Sequence, residues 1–407
     1  MSIIHINKIK PGMVVADEVR DFHGRLLLAK GKTIQPDHFR VFKIWGVTEV
    51  NVLSKNDDKK ETRPDFDPEQ YEKIREMTQQ VFRYNDLEHP AIQEIFRLSI
   101  WFRDKYKFFN KYFNVQLTED DPTENLNQTN FEKKLDITSI KLPEVPAIVS
   151  EFNAVVSDPL SSSVDIAQVV QKSPSMTAIL LKIVNSPFYG LPSKIDKISL
   201  AITLIGRREI SALALGLSIF SAFDKIPQKL LDMYAFLKHS VACGIISRML
   251  ASHKGVSQTE QFFVSGLLHD IGRLIVFCNF PEDGRQILNI SQTTNKLLYE
   301  IERNYFGCDH SFIARHLIQQ WKLPLSLENN IFYHHNPSKA LRPVPATLVH
   351  LADIITNGLG IGTSGERFVP PLDTEAWESL DLSPTSFDIV IKQAAHQFFA
   401  LESMLEN

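Results

Sequence analysis

Residues 266–277 read GLLHDIGRLIVF, an apolar helical run interrupted by an adjacent histidine and aspartate, His269 and Asp270, with Arg273 one turn further on. A carboxylate buried in such a run is costly unless it is paired, hydrogen-bonded or bound to a metal. Other polar side chains interrupt apolar helical runs in the same way: His239 in FLKHSVAC, His310 in FGCDHSFIARH, His334 and His335 in IFYHHNP, and Asp353 in LVHLADIIT. Together they supply five imidazoles and two carboxylates. Neutral imidazole nitrogen and carboxylate oxygen suit divalent iron, manganese, zinc or cobalt. A carboxylate can also bridge two ions in a centre that activates water and clamps a phosphate. That chemistry requires groups spread over more than a hundred residues to converge on one point.

Each group also has a purely structural reading. His269 and Asp270 can form a buried hydrogen-bonded pair, and His334-His335 precedes Asn-Pro at a helix end, where the helix dipole favours histidine. His253, His316 and His350 read as surface or supporting residues. His350 shares a helix face with Asp353 three residues on, so it can orient a ligand there.

The elements that must position these groups follow from the rest of the chain. Its 407 residues exceed what a single hydrophobic core usually serves. Residues 1–54 contain short β-like runs (IIHI, MVVADEV, RLLLA, EVNVL) between turn signals, with one short helix in PDHFRVFKIWG that Gly46 should stop. Residues 55–67 are a charged linker broken by Pro64. Residues 68–113 carry helical periodicity and form a helical connector, and 114–137 are an acidic, Asn/Thr-rich linker. From residue 138 onward nearly every segment reads as helix, with Gly190 and Pro192 expected to end one begun near Met176. ISLAITLIGRREISALALG has the outline of a helix-turn-helix, but its second segment is mostly Ala and Leu and lacks side chains that read base edges, so packing is the better account.

A formal charge of −4 provides no field to attract nucleic acid or an anionic membrane. Three scattered cysteines, Cys243, Cys278 and Cys308, indicate neither a thiolate zinc site nor a disulfide framework. No stretch offers about 18 uninterrupted apolar residues. The expected setting is the cytoplasm, without nucleic acid or membrane as partner.

The ordered blocks LPEVPAI, KIVNSPFYGLP, ISLAITLIGRREI, LLHDIGRL, FGCDHSFIARHLIQQWKLP, IFYHHNP and LVHLADIIT resemble the HD superfamily of metal-dependent phosphohydrolases and, more closely, its HDOD branch. The resemblance covers roughly residues 138–357, with the HD-like half at 233–357 and a C-terminal loop and helix at 358–407. KPGMVVADEVRDFHGRLLLAKGKTI is similar to the small β module that precedes HDOD and HD-GYP domains. The implied fold is mostly α: a multi-helix HDOD domain preceded by a small β-rich module.

Carried over by position, the resemblance places the HD metal ligands on His239, His269, Asp270 and Asp353. It places those of a second ion on His310, His334 and His335, with Asp270 bridging. The implied cofactor is one or two ions of iron, manganese or zinc. HD-GYP enzymes have a glutamate where this chain has Ala235, a lysine where it has Arg273, and a GYP stretch where it reads HHNPSKALRP. These departures favour a bacterial signal-transduction output or regulatory module whose partners are signalling proteins or a nucleotide second messenger. The alternative is a binuclear phosphodiesterase or phosphohydrolase in which Asp270 and Arg273 are catalytic, Arg273 holding phosphate in the lysine's place.

Overall fold

EVNVL is the strand on which the N-terminal sheet is built. The computed structural model describes residues 2–5, 9–20, 26–44, 47, 49–53, 68–107, 140, 142 and 146–405, apart from 159, 186–188, 190, 192, 221–222, 224–225 and 228–229. Strand β1 (Ser2–His5) is followed by β2 (Val14–Val15), β3 (Val19–Arg20), β4 (Leu26–Leu28), helix α1 (Pro36–Ile44) and β5 (Glu49–Leu53). Strand β5 lies between β1 and β2, antiparallel to both, and β3 pairs with β4. In β5 Val50 and Val52 are buried while Asn51 turns outward to donate to Asp17 at 2.7 Å, the alternation a half-covered strand requires. Val15, Ile34 and Phe42 complete a small core of the module's own. The expected helix is α1, while Gly46 and the linkers at 55–67 and 114–137 lie outside the described residues.

Helices α2 (Pro68–Val81) and α3 (Pro90–Tyr106) occupy the connector, and their apolar faces belong to the main helical core. Arg103 of α3 is buried and donates from Nε and Nη2 to the Gly358 carbonyl at 3.0 and 2.8 Å. That carbonyl belongs to the last turn of α16 (Pro343–Leu359), where helix ends leave acceptors unsatisfied. The connector thereby anchors the helix that carries Asp353.

Five short helices follow: α4 (Ala147–Ser157), α5 (Ser163–Gln171), α6 (Pro174–Val184), α7 (Ile198–Ile205) and α8 (Arg207–Phe220). Helix α6 stops earlier than Gly190 and Pro192 would place its end, and those two residues lie outside the described set. Asn185 caps it. Its side-chain amide donates to the carbonyls of Leu181 and Ile195, both at 2.7 Å, and its carbonyl oxygen accepts from Ile195 N at 2.6 Å. Polar side-chain capping ends the helix before the Pro-Gly signals begin. In α8 Ile210, Leu213, Ala214 and Ile219 are buried, in keeping with packing rather than base reading.

The remaining helices are α9 (Met233–His253), α10 (Glu260–Leu268), α11 (Ile271–Asn279), α12 (Pro281–Thr294), α13 (Leu298–Phe306), α14 (His310–Gln320), α15 (Leu325–Phe332), α16, α17 (Thr374–Leu380) and α18 (Ser386–Leu405). Helix α9 lies at the centre, buried without a break from Ala242 to Ser252, because α10, α16 and α18 pack around it. Glu260–Asn279, which is α10 and α11 together, is long and apolar enough to cross a membrane, yet it lies almost wholly inside the helical body.

Two glycines permit close backbone approaches between the helices that carry these groups. A Cβ on Gly266 would lie 2.6 Å from the Cys243 carbonyl oxygen, and one on Gly272 would lie 1.9 Å from that of His310. Gly272 thus lets α11 press against the start of α14, which brings His310 to Asp270. Because the obstructing atom is backbone, relief requires a helix to move. Gly272→Ala should destabilise the protein by about 3 kcal/mol, the upper part of the overpacking range. Urea unfolding checks this, and an alanine variant as stable as the wild type would contradict the contact.

Candidate metal centre

Three helix junctions and two helix interiors deliver the seven side chains. His239 projects from the middle of α9, and Asp353 from α16 packed beside it. His269 and Asp270 occupy the break between α10 and α11, where Asp270 leaves helical geometry with ψ near 10°. His310 is the first residue of α14, which Asp309 caps by accepting from Phe312 N at 3.2 Å. His334 and His335 follow the last turn of α15. Apart from half-buried His335, all seven are at most 4% exposed.

The structure brings all seven expected residues together in two adjoining groups. In the first, His239 Nε2 is 3.4 Å from both His269 Nε2 and Asp353 Oδ1, and His269 Nε2 is 3.2 Å from Asp270 Oδ2. In the second, His310 Nε2 is 3.1 Å from His335 Nε2 and 3.4 Å from His334 Nε2. Potential ligand atoms within each group all lie within 4.8 Å of one another. Asp270 joins the groups, since its Oδ1 is 2.9 Å from His310 Nε2 while its Oδ2 faces His269.

The donor set fits a cation. His269 Nδ1 faces the Gly266 carbonyl at 2.7 Å, His334 Nδ1 the Ile331 carbonyl at 2.6 Å, and His310 Nδ1 the Glu302 carboxylate at 2.5 Å. Each acceptor assigns a ring proton to Nδ1 and turns Nε2 toward the centre of the site. His310 and His334 are both held this way, so their Nε2 atoms, 3.4 Å apart, face each other and need a proton or a cation between them. The spacing is compatible with ligand bonds of about 2.0–2.2 Å to a shared ion.

The electrostatics agree. Burial, reinforced by His269 and His310, lowers His334 to about 3, and burial with His334 and His310 holds His335 well below the usual range. Both rings are neutral. Burial opposes ionisation of Asp270, but Arg273, His269 and His310 overcome it and keep the carboxyl ionised. Burial and Arg273 oppose protonation of His310, yet Glu302 and Asp270 lift it to about 9. An ion bound at His310 would displace the proton of that ring, so its uptake is favoured by rising pH.

Three further residues escaped the sequence reading. Arg273 Nη1 donates to Asp270 Oδ2 at 3.0 Å and Ser364 Oγ at 2.6 Å, Nε donates to Glu302 Oε1 at 3.0 Å, and Nη2 lies 3.8 Å from Glu366 Oε2. Glu366 also accepts from the backbone N–H groups of Leu298, Arg367 and Phe368, and burial lifts its carboxyl to about 7 against the pull of Arg273. Glu302 had a readable signal, because it shares a buried stripe with Leu298, Ile301 and Tyr305 where an unpaired carboxylate does not belong. Ser364 and Glu366 lie in an irregular segment that carries no periodicity. That segment packs on α9, Thr363 N donating to the Ala235 carbonyl at 3.1 Å. Of the other histidines, His350 donates from Nδ1 to the His334 carbonyl at 2.7 Å and holds that residue in place, whereas His253 is exposed and His316 bonds its own helix.

Residues 142–337 match the HDOD domain family. The chain carries an HDOD domain. An HDOD domain protein of unknown function from Geobacter sulfurreducens superposes with a TM-score of 0.54 at 20% identity, covering 65% of this chain and 93% of that one. A protein from Marinobacter aquaeolei assigned to signal transduction gives 0.54 at 21% identity, covering 68% and 62%. One from Shewanella amazonensis assigned as a metal-dependent phosphohydrolase gives 0.50 at 18%, covering 65% and 94%. These likenesses establish the fold. An uncharacterised protein of Treponema pallidum is 22% identical over 196 residues, a match spanning 48% of this chain and 38% of that protein. The HDOD match ends before Asp353, Ser364 and Glu366, so the C-terminal part of the chain completes the site.

Arg273 is 2% exposed and its donors face Asp270, Glu302, Glu366 and Ser364. Removing one partner from a buried ionic network leaves the others uncompensated. Arg273→Met should therefore lower stability by about 3 kcal/mol or more in urea unfolding. A group reserved for a substrate phosphate would instead leave stability unchanged when replaced.

Proposed function

We propose that the protein is a regulatory HDOD module of bacterial signal transduction that carries a binuclear divalent-metal centre in the cytoplasm and acts on signalling proteins. The observation that carries this reading is the enclosure of Arg273. The cation expected to hold a substrate phosphate is surrounded by three carboxylates and a hydroxyl, and six of the seven donors are buried. A centre so closed supports conformation and recognition better than turnover. Iron, manganese and zinc each suit five imidazoles with two carboxylates. A bound pair of ions would supply Lewis acidity and a water of lowered pKa. His239, His269, Asp270 and Asp353 would hold one ion, and His310, His334 and His335 the other.

One observation favours the second reading, a phosphohydrolase acting on cyclic dinucleotides or related phosphodiesters. The donor set is complete for two ions, and His335 is less enclosed than the other six donors. The readings separate on one preparation. Full-length protein purified without chelators should contain close to two divalent ions per chain by elemental analysis. It should hydrolyse neither cyclic dinucleotides nor nucleotides above the rate of a His269→Ala control. Metal-dependent turnover would replace the regulatory reading with the hydrolytic one, and protein that takes up no iron, manganese or zinc would remove the metal from both.

A further inference from the structure

We propose that Glu302 is the positioning residue that enables the His310, His334 and His335 group to hold an ion, an inference that rests on the metal reading above. Glu302 is 1% exposed on α13 and makes three close contacts. Its Oε2 accepts from the His310 ring Nδ1 at 2.5 Å and from the His310 backbone N–H at 3.0 Å, and its Oε1 accepts from Arg273 Nε at 3.0 Å.

The histidines of the site are not supported equally. His269 and His334 donate to backbone carbonyls, and Nδ1 of His239 and of His335 has no hydrogen-bond partner among the described residues. Of the five imidazoles only His310 has a carboxylate behind it among those residues. A carboxylate at Nδ1 fixes the ring's orientation and strengthens Nε2 as a donor.

Charge makes that support necessary. The first group contains two carboxylates, Asp270 and Asp353, which match a doubly charged ion. The second group is three imidazoles and draws on a carboxylate only where Asp270 Oδ1 reaches His310 Nε2. Glu302 supplies the missing anion through the ring of His310. Arg273 holds both carboxylates, donating to Asp270 on the ligand side of His310 and to Glu302 on the far side. A simple capping role does not account for the contact. Asp309 already caps α14, and the shorter Glu302 bond runs to the ring rather than to the backbone.

The test compares full-length wild type with Glu302→Gln after metal stripping, by titration with Mn²⁺ and electron paramagnetic resonance. The wild type should bind two Mn²⁺ and show an exchange-coupled spectrum. Glu302→Gln should retain one Mn²⁺ with an uncoupled six-line spectrum, its affinity for the second ion reduced by roughly 10- to 100-fold. His310→Ala provides the one-ion benchmark. If Glu302→Gln does not fold by circular dichroism, Glu302→Asp carries the test, since it keeps charge beside Arg273 while withdrawing it from the ring. Two coupled ions in a folded variant, or loss of both, would overturn the role of Glu302 and leave the metal reading standing. A wild type that binds no Mn²⁺, iron or zinc would overturn both.

Discussion

A single buried carboxylate organises this half of the molecule. Asp270 stands at the break between α10 and α11 with 2% of its surface exposed, and its charge there is tolerable only because Arg273 and three facing imidazoles surround it. Each of those partners creates a further requirement. Arg273 needs Glu302 and Glu366 to neutralise it, Glu302 fixes His310, and Glu366 holds the segment that closes over α9. Gly272 and Gly266 are small because α11 and α10 must approach their neighbours closely enough for these groups to meet.

The resulting network extends beyond the region that matches the HDOD family. The segment after α16 bonds Arg273 through Ser364, and further along Val369 N donates to the Val81 carbonyl at 2.9 Å while Asn85 donates to the Val369 and Pro370 carbonyls. Asp373 N then donates to His350 Nε2 at 3.0 Å, and the other nitrogen of that ring holds the His334 carbonyl. The N-terminal helices and the buried centre are therefore joined by one continuous set of hydrogen bonds. Such continuity is what a module needs if its centre is to influence surfaces elsewhere.

The converging side chains were legible in the sequence because histidine and aspartate inside apolar helical runs violate the ordinary pattern of burial. Their division into two groups came from resemblance rather than spacing, since no local rule tells which distant helices will adjoin. Glu302 interrupts an apolar stripe and could have been found by the same logic as Asp270. Ser364 and Glu366 could not, because an irregular segment has no period to violate. The β module was readable from its turns and the two-residue alternation of β5. The end of α6 was readable in the NSPFYG block that begins at Asn185, but its capping was not, because the bonds of Asn185 depend on Ile195, ten residues away.

The account turns on whether positive charge belongs between the converging imidazoles. Anomalous diffraction from crystals of the full chain grown with Mn²⁺ addresses this directly. Two peaks should flank Asp270, one bounded by His239, His269 and Asp353 and the other by His310, His334 and His335, each about 2.0–2.3 Å from its ligand atoms. Peaks only at the protein surface, with the imidazoles hydrogen-bonded to one another through water or protons, would contradict it.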